Sequence, residues 1–483
     1  MAGTRNSFFC EIRDLNERGQ GVGIIREGGS PSTSLEGMIC FVDGALPGEK
    51  VTGILTKRSR HYLVLDLDRI IQTSDDRIES DCEYFPACGS CRLRHLSYQA
   101  ELAYKEKRVR DLLSRQGPID AGSSVFRPIL GMEDPFHYRG KSIFPVGRSA
   151  NDKNSLTIGQ YRFGSHDLVD LCHCKIQSQP ALSLVNRIRE LASGGTITPY
   201  DEGTHQGTLR HLLIRTAFSS RQVMLVFVVN DQEADVMFFS WLPELRESVE
   251  LQGFTLHSVW INDMKEKGNR VLSSHYRHAE GSRTIEETIR GVTYMISPDS
   301  FFQVNPKQAA VLFEEVIKAA KLIPGQRLLD LYCGVGALSL QFAAAMRDQA
   351  PPLEVTGIDQ VKQAVMDARN NAGINGLDSL TFIEADATRW LKDYSDNGSN
   401  PPFDALVADP PRKGLEPQAI EVIKRSGTPR IVYISCNPAT LARDLALLSE
   451  VYRVESVQPV DMFPRTAHVE TVVSMTQEKD NLC

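Results

Sequence analysis

The sequence predicts a multidomain α/β protein with a small amino-terminal β-barrel of the oligonucleotide-binding type, a central α+β region and a carboxyl-terminal doubly wound sheet. Three observations predict it. The chain has 483 residues, more than one hydrophobic core ordinarily serves, so several domains are expected. Residues 8–68 alternate short β-type runs with turn signals. From Gln308 onward, helical stretches alternate with short buried β-branched strands, the pattern of a mostly parallel sheet. The domain boundaries read from this are 1–70, 71–296 and 297–483.

In the barrel region, Gly19-Gln20-Gly21-Val22-Gly23, Glu27-Gly28-Gly29-Ser30 and Leu46-Pro47-Gly48-Glu49 punctuate strands such as residues 37–42. A cysteine cluster occupies residues 81–95, followed by a charged amphipathic helix over 98–116 that Gly117-Pro118 ends. Residues 125–296 mix strands and helices. Strands are then predicted at 328–332, 355–359, 380–384, 404–409 and 430–435, with a polar surface loop at 396–400.

Hydrophobic content of 41% and charged content of 24% are those of a water-soluble globular protein. The apolar runs are far short of a membrane span and no secretory signal is visible, so a cytoplasmic protein is expected. There, ten cysteines point to metal binding or catalysis rather than a disulfide framework. A net charge of −7 speaks mildly against nucleic acid, but a local basic surface suffices for it. Residues 57–61 and 105–110 are candidate patches, although each run alone reads better as a solvated face.

Asp330-Leu331-Tyr332-Cys333-Gly334-Val335-Gly336-Ala337 ends a strand in a glycine-containing loop, where the backbone lets a ligand approach closely. A nicotinamide cofactor would suit two glycines, yet the third glycine of that fingerprint is absent. Asp359 ends the next strand and Asp386 follows the third. Helix capping accounts for any one of these acids but explains the series less well. Acids at successive strand ends suit the adenosine and amino acid portions of S-adenosylmethionine. Asp409-Pro410-Pro411-Arg412-Lys413-Gly414 closes the fourth strand in a turn stiffened by prolines. DPP sequences also occur in enzymes that methylate exocyclic amines, so the target atom is decided by Cys436. This thiol follows the buried run Ile431-Val432-Tyr433-Ile434-Ser435, and His468-Val469-Glu470 supplies a carboxylate in a similar strand. Methylating a pyrimidine carbon requires a nucleophile that makes the carbon electron-rich; methylating an amine does not. Cys333, the rival thiol, is read as a small packed hydrophobe. Cys82, Cys88 and Cys91 supply three soft ligands for iron–sulfur or zinc, and by spacing either Cys172 or Cys174 supplies the fourth.

Ser435-Cys436-Asn437-Pro438-Ala439-Thr440-Leu441-Ala442-Arg443-Asp444, with Asp461-Met462-Phe463-Pro464-Arg465-Thr466-Ala467-His468-Val469-Glu470, resembles the RNA 5-methyluridine methyltransferases. Ser297-Pro298-Asp299-Ser300-Phe301-Phe302-Gln303-Val304-Asn305 is similar to that family's segment ahead of its catalytic sheet. The resemblance implies that Cys436 is the nucleophile and Glu470 the base, and that Gln303, Tyr332, Asp359, Asp386 and Asp409 hold S-adenosylmethionine, with Asp409 also contacting the uracil. Asp359 departs from the Glu frequent in the family, and Ala337 from a polar Asn in some members. Cys88-Gly89-Ser90-Cys91 with His95 and Tyr98 resembles the family's segment for a [4Fe-4S] cluster, although Arg94 replaces a usual Gln. The same resemblance selects Cys174, ahead of Lys175-Ile176, to complete Cys82, Cys88 and Cys91. Residues 21–49 resemble a TRAM domain, an RNA-binding barrel. Together these features look most like the bacterial enzymes that methylate a uridine of 23S ribosomal RNA. Transfer RNA is the alternative substrate, and a non-catalytic RNA-binding iron–sulfur protein is the reading that an intact Cys436 and Glu470 argue against.

Overall fold

The structure, a computed structural model, describes residues 7–28, 35–149, 155–195, 197–231, 235–398 and 400–478. Gly29-Ser30 of one predicted turn and Ser399 of the predicted polar loop lie outside the described residues. The chain forms two compact units: 1–107 with 161–167 and 463–468, and 108–160 with 168–462 and 469–483.

In the first unit, β1 (Ser7–Leu15), β2 (Gly21–Gly28), β3 (Ile39–Asp43), β4 (Lys50–Arg58) and β5 (Tyr62–Gln72) close into a barrel in the order β1-β2-β3-β5-β4. The alternation along β1 turns Phe8, Cys10 and Ile12 inward, where they meet Cys40, Val42, Val51, Leu63 and Leu65. Gly23 is required by close strand approach, since a Cβ there would lie 2.4 Å from the Glu11 carbonyl oxygen. Helix α1 (Tyr98–Arg115) follows the cysteine segment. One expectation is corrected here. Lys105 belongs to no basic surface: it is fully buried and ion-paired at 2.7 Å with buried Glu101, which also accepts the Arg465 N–H at 2.7 Å. A buried cation is tolerable only with such a partner.

The second unit holds two large sheets. β6 (Lys141–Arg148), β7 (Leu156–Tyr161), β8 (Leu168–Asp170), helix α2 (Gln179–Leu191), β9 (Leu209–Ala217), β10 (Gln222–Val229), α3 (Asp235–Glu250), β11 (Thr255–Asp263) and β12 (Tyr276–Gly281) build the first, in the order β12-β11-β10-β9-β6-β7-β8. Apolar side chains of α2 and α3, among them Leu184, Val185, Trp241 and Leu245, cover one face. A hairpin of β13 (Ile285–Ile289) and β14 (Val292–Ile296) follows.

The second sheet comprises α4 (Pro306–Ala320), β15 (Arg327–Leu331), α5 (Ala337–Ala345), β16 (Glu354–Asp359), α6 (Lys362–Ile374), β17 (Leu380–Glu384), α7 (Ala387–Asp396), β18 (Ala405–Ala408), α8 (Pro417–Arg425), β19 (Arg430–Ser435), α9 (Pro438–Leu448), β20 (Tyr452–Val460) and β21 (Glu470–Gln477). Its strand order is β17-β16-β15-β18-β19-β21-β20. Strands β15 to β19 are parallel, while β21 runs antiparallel to both its neighbours. From β15 the chain steps outward to β16 and β17 and then returns to the other side at β18. That reversal opens a crevice at the carboxyl ends of β15 and β18, where open α/β sheets bind ligands. The strand expected to contain His468-Val469-Glu470 begins only at Glu470.

Candidate active site

At the end of β15 the chain turns sharply: Tyr332 takes a left-handed φ of 66°, Gly334 54° and Gly336 75°. A side chain at Gly336 would strike Leu340 and Phe382, so only glycine suits the start of α5. Asp330 is buried and accepts a 2.5 Å hydrogen bond from Ser339 of α5. Asp359 ties the loop to β16, accepting the N–H groups of Gly334 at 3.0 Å and Val361 at 2.8 Å. Asp386 caps α7 by accepting the Arg389 N–H at 2.8 Å, the plainer role weighed for these acids. Gln303 stands half-buried in the loop before α4, with no hydrogen bond to these acids among the described residues. That loop is pinned by the Arg215 guanidinium, which donates to the carbonyls of Pro298 and Ser300, and by the Gly140 N–H, which donates to Val304 at 2.6 Å.

Cys436 follows β19 directly. Asn437 then caps α9 by accepting the Ala439 N–H at 3.1 Å, and Pro438 fits the first helical turn, where its missing N–H costs nothing. Leu441, Ala442, Leu445 and Leu448 bury the inner face of α9, each worth roughly 1–3 kcal/mol depending on size. The turn after β18 is bound to this helix. The Arg412 carbonyl accepts from Asn437 Nδ2 at 3.3 Å and Thr440 Oγ1 at 3.4 Å, and Arg443 donates to the Lys413 and Leu415 carbonyls at 2.9 and 3.2 Å. Buried Asp444 accepts from the Leu415 N–H at 2.8 Å and the Tyr433 hydroxyl at 2.7 Å.

Glu470 arrives from the other side of β19. The antiparallel register pairs Ser435 with Thr471, so Cys436 and Glu470 are the next opposed positions, just past the last pair. Opposed residues on antiparallel strands share a face, with Cβ atoms about 5 Å apart. The structure thus sets Cys436 opposite Glu470, the pair read together from sequence, and Asp409, read from a separate motif, acts on both.

Electrostatics support the same grouping. Burial pushes the Cys436 thiol up to about 11; Glu470 and Asp409 add to the rise and Arg412 opposes it. Glu470 is pushed up to about 8 by burial and by Asp409, again against Arg412. Asp409 rises to about 7 through burial, and Asp330 also to about 7, through burial and the nearby Asp409 and Asp359 carboxyls. Tyr332 is raised chiefly by burial, and Asp386 contributes. Buried Cys333 has its thiol pushed far up by burial, Asp330 and Asp359. Such displaced carboxyls gathered in a crevice mark a functional site.

Of the four proposed cluster cysteines, Cys82, Cys88 and Cys91 lie in the first unit and Cys174 in the second. All four are half-buried and none is in a disulfide, whereas Cys172 is exposed. Among the described residues no group of three His, Cys, Asp or Glu side chains forms a single-ion site.

The family model described as tRNA (uracil-5-)-methyltransferase matches residues 204–478, more than half of the chain. The chain belongs to this family. An uncharacterized RNA methyltransferase of Listeria innocua is 36% identical over 473 residues, covering 97% of both chains. One of Clostridium tetani is 35% identical over 481 residues, covering 98% of this chain and 97% of its own. Among solved structures, the Pyrococcus abyssi tRNA (uracil-54, C5)-methyltransferase in complex with S-adenosyl-L-homocysteine matches with a TM-score of 0.74 and 25% identity, over 97% of this chain and 99% of that one. The protein is an RNA methyltransferase of the uracil-5 family.

Sequence reasoning quoted Arg412, Arg443 and Asp444 inside motifs without giving them roles. Their partners stand on other elements, so no local spacing announces them. Arg215 passed unnoticed altogether, and an arginine within a run of buried β-branched and aliphatic residues was the available signal.

Proposed function

We propose that this protein methylates C5 of a uridine in 23S ribosomal RNA, using S-adenosylmethionine and a covalent Cys436–C6 adduct to give 5-methyluridine. The observation that carries the reading is the opposition of Cys436 and Glu470 at the end of β19 and the start of β21, with Asp409 acting on both. The Cys436 thiolate adds to C6, and the C5–C6 π electrons move to the C4 oxygen as an enolate. Carbon 5 then takes the methyl group from the sulfonium of the methyl donor. Glu470 accepts the C5 proton, and the freed electron pair re-forms the C5–C6 double bond as the Cys436 sulfur leaves.

The acids suit a cationic methyl donor. Asp330 feels both the Asp409 and the Asp359 carboxyls, and a bound sulfonium and ammonium would relieve that repulsion. Gln303, Tyr332, Asp359, Asp386 and Asp409 are the proposed donor-binding residues, Asp409 also contacting the uracil. The amino-terminal barrel and the central region are assigned to RNA, in a cytoplasmic setting, and the target base leaves its stack to reach Cys436.

Cys82, Cys88, Cys91 and Cys174 are proposed to hold a [4Fe-4S] cluster. Their soft, undisulfided sulfurs fit such a group chemically. Methyl transfer is redox-neutral, so its role is structural or in RNA binding. Anaerobically purified protein should contain iron and acid-labile sulfide. C82S and C174S should lose both and C172S should retain them; metal-free wild-type protein would refute the assignment.

A transfer RNA substrate is favoured by the family's description and by the named substrate of the Pyrococcus abyssi enzyme. Labelled S-adenosylmethionine, incubated separately with unmodified 23S ribosomal RNA and transfer RNA, separates the two. Label at uracil C5 in 23S RNA is expected. Label only in transfer RNA moves the assignment there, and label in neither sinks the enzyme reading.

A further inference from the structure

The central sheet of the second unit has two unlike faces. Helices α2 and α3 cover the face that carries Leu212, Phe227 and Ile261. The registers of β9 to β12 set Arg215, Trp260, Asn262, Tyr276 and His278 on the opposite face. The loop ahead of α4 is fastened to that opposite face, because the Arg215 guanidinium donates to the Pro298 and Ser300 carbonyls. Gln303 follows in the same loop.

At the edge of this sheet, the β11–β12 loop of residues 264–275 carries Lys265, Lys267 and Arg270 against a single acid, Glu266. Residues 265–270 are exposed without a break. In a chain of net charge −7 this is a local surplus of cation. Among the described residues Lys265 and Lys267 enter no ion pair. Arg270 meets Glu266 only at 3.5 Å in solvent, a pairing worth little. Arg277 on β12 differs, being committed to Asp235 and Asp263.

Exposed charge is ordinarily a solvated face. This loop, however, is gripped at its base by buried polar groups. The Arg210 guanidinium, 4.0 Å from the Tyr200 ring centre, donates to the carbonyls of Met264 at 2.7 Å and Glu266 at 2.9 Å. Fully buried Asn262 donates to the Ser273 carbonyl at 3.1 Å and accepts the Ser273 N–H at 3.0 Å. The Met264 N–H donates to Val229 of β10 at 2.7 Å. Cations on a fixed base bind a polyanion at less ordering cost than cations on a free loop. On the same face His278 meets Trp260 edge-on at 4.8 Å, and the Arg283 guanidinium lies 5.9 Å from the Trp260 ring. Cations next to aromatic rings suit a partner that presents phosphates and bases together, which an acidic protein does not.

We propose that the β11–β12 loop is a contact for the RNA backbone, in which Lys265, Lys267 and Arg270 hold phosphates so that the strand lies along the face opposite α2 and α3, toward the loop of Gln303. Such a contact positions RNA without reading its sequence. The inference rests on the protein acting on RNA, and its first test requires no methyl transfer.

Fluorescein-labelled oligouridylate and a mixed-sequence RNA of the same length are bound to the full-length protein, and anisotropy is followed over a series of KCl concentrations. K265Q/K267Q/R270Q should flatten the slope of log affinity against log salt by about 2, from three phosphate contacts at roughly 0.7 each, and weaken binding of both RNAs by about tenfold or more. K265R/K267R/R270K keeps the charges and should stay within about threefold of wild type. R347Q/K392Q/R425Q removes three exposed cations elsewhere in the same unit and should leave the slope unchanged. A wild-type slope in the glutamine loop variant, an equal flattening in R347Q/K392Q/R425Q, a weakening confined to one RNA sequence, or an equal loss in the charge-keeping variant would each overturn the proposal. In single-turnover methyl transfer, the glutamine loop variant should raise the half-saturating RNA concentration in parallel with the binding loss, while the saturated rate stays within about twofold. A fall in the saturated rate alone would also overturn it. If the loop behaves as expected but no RNA gains a methyl group at uracil C5, the uracil reading fails while the contact surface stands.

Discussion

Strands β15 and β19 each deliver a cysteine near the carboxyl end of one sheet, Cys333 and Cys436 respectively. Cys333 is turned into the protein, 7% exposed, with Asp330 and Asp359 as its charged neighbours. Cys436 is half-buried and has a cation among its neighbours as well as carboxyls. The same topological position therefore yields a packing group in one case and a candidate nucleophile in the other. Exposure and one arginine make the difference, since a thiol reacts only as far as its surroundings tolerate the thiolate.

The largest expected effect breaks this comparison directly. C436A should lower methyl transfer by on the order of 10⁴-fold or more. C333A, which trims a packed side chain, should change it less than about tenfold while lowering the melting temperature. Comparable losses from the two substitutions, measured as single-turnover label transfer, would erase the distinction. E470Q should slow turnover by about 10²–10⁴-fold. Because the glutamine cannot accept the C5 proton, a methylated protein–RNA adduct should accumulate on natural uridine and be visible as a retarded band on denaturing gels.

The pH dependence sharpens the contrast. Glu470, raised to about 8, is protonated below that pH and cannot take a proton, so wild-type turnover should fall as pH drops through about 8. Adduct formation with 5-fluorouridine RNA bypasses proton removal and should follow the thiol instead, rising toward its value of about 11. A common profile for both reactions would mean that one group governs both steps. In the core to which β19 contributes Ile431 and Tyr433, L441A should cost about 2–5 kcal/mol of stability by emptying a fully buried site, readable from denaturant unfolding.

The smallest effect is a stability change on the Cys333 side. Asp330 has its folded pKa raised from 3.8 to about 7, so the fold favours the protonated acid. Its contribution is fully present below the unfolded value and is lost as pH rises through about 7. D330N can still accept from Ser339, so it should match wild type near pH 4 and melt a few degrees higher above pH 7. A gain confined to acid pH would reverse the sign.

Much of this architecture is legible locally. β17 and β19 begin and end where short apolar runs between turn signals place them. The closed barrel likewise follows from alternating short strands and glycine-rich turns. What was not legible depends on distant pairing. The antiparallel insertion of β21 beside β19 is a register between segments far apart in the chain, and only that register sets Glu470 opposite Cys436. The acids at strand ends were visible, but the division of labour among them was not. Asp386 spends an oxygen on capping α7 and Asp359 spends both on backbone N–H groups, because capping and ligand binding use the same side chain at the same place. Lys105 shows the opposite failure: a charged run on a helix concealed a lysine wholly inside the protein.

β21 lies between β19 and β20 although it is made after both. During synthesis Cys436, the proposed nucleophile, is therefore made on the order of seconds before Glu470, its proposed base, at ordinary elongation rates. Until Glu470–Gln477 slides between its two neighbours, β19 and β20 have no common partner and Cys436 has no carboxylate opposite it. The order of translation thus leaves assembly of the proposed catalytic pair to the insertion of one strand, the last of the described strands to be made.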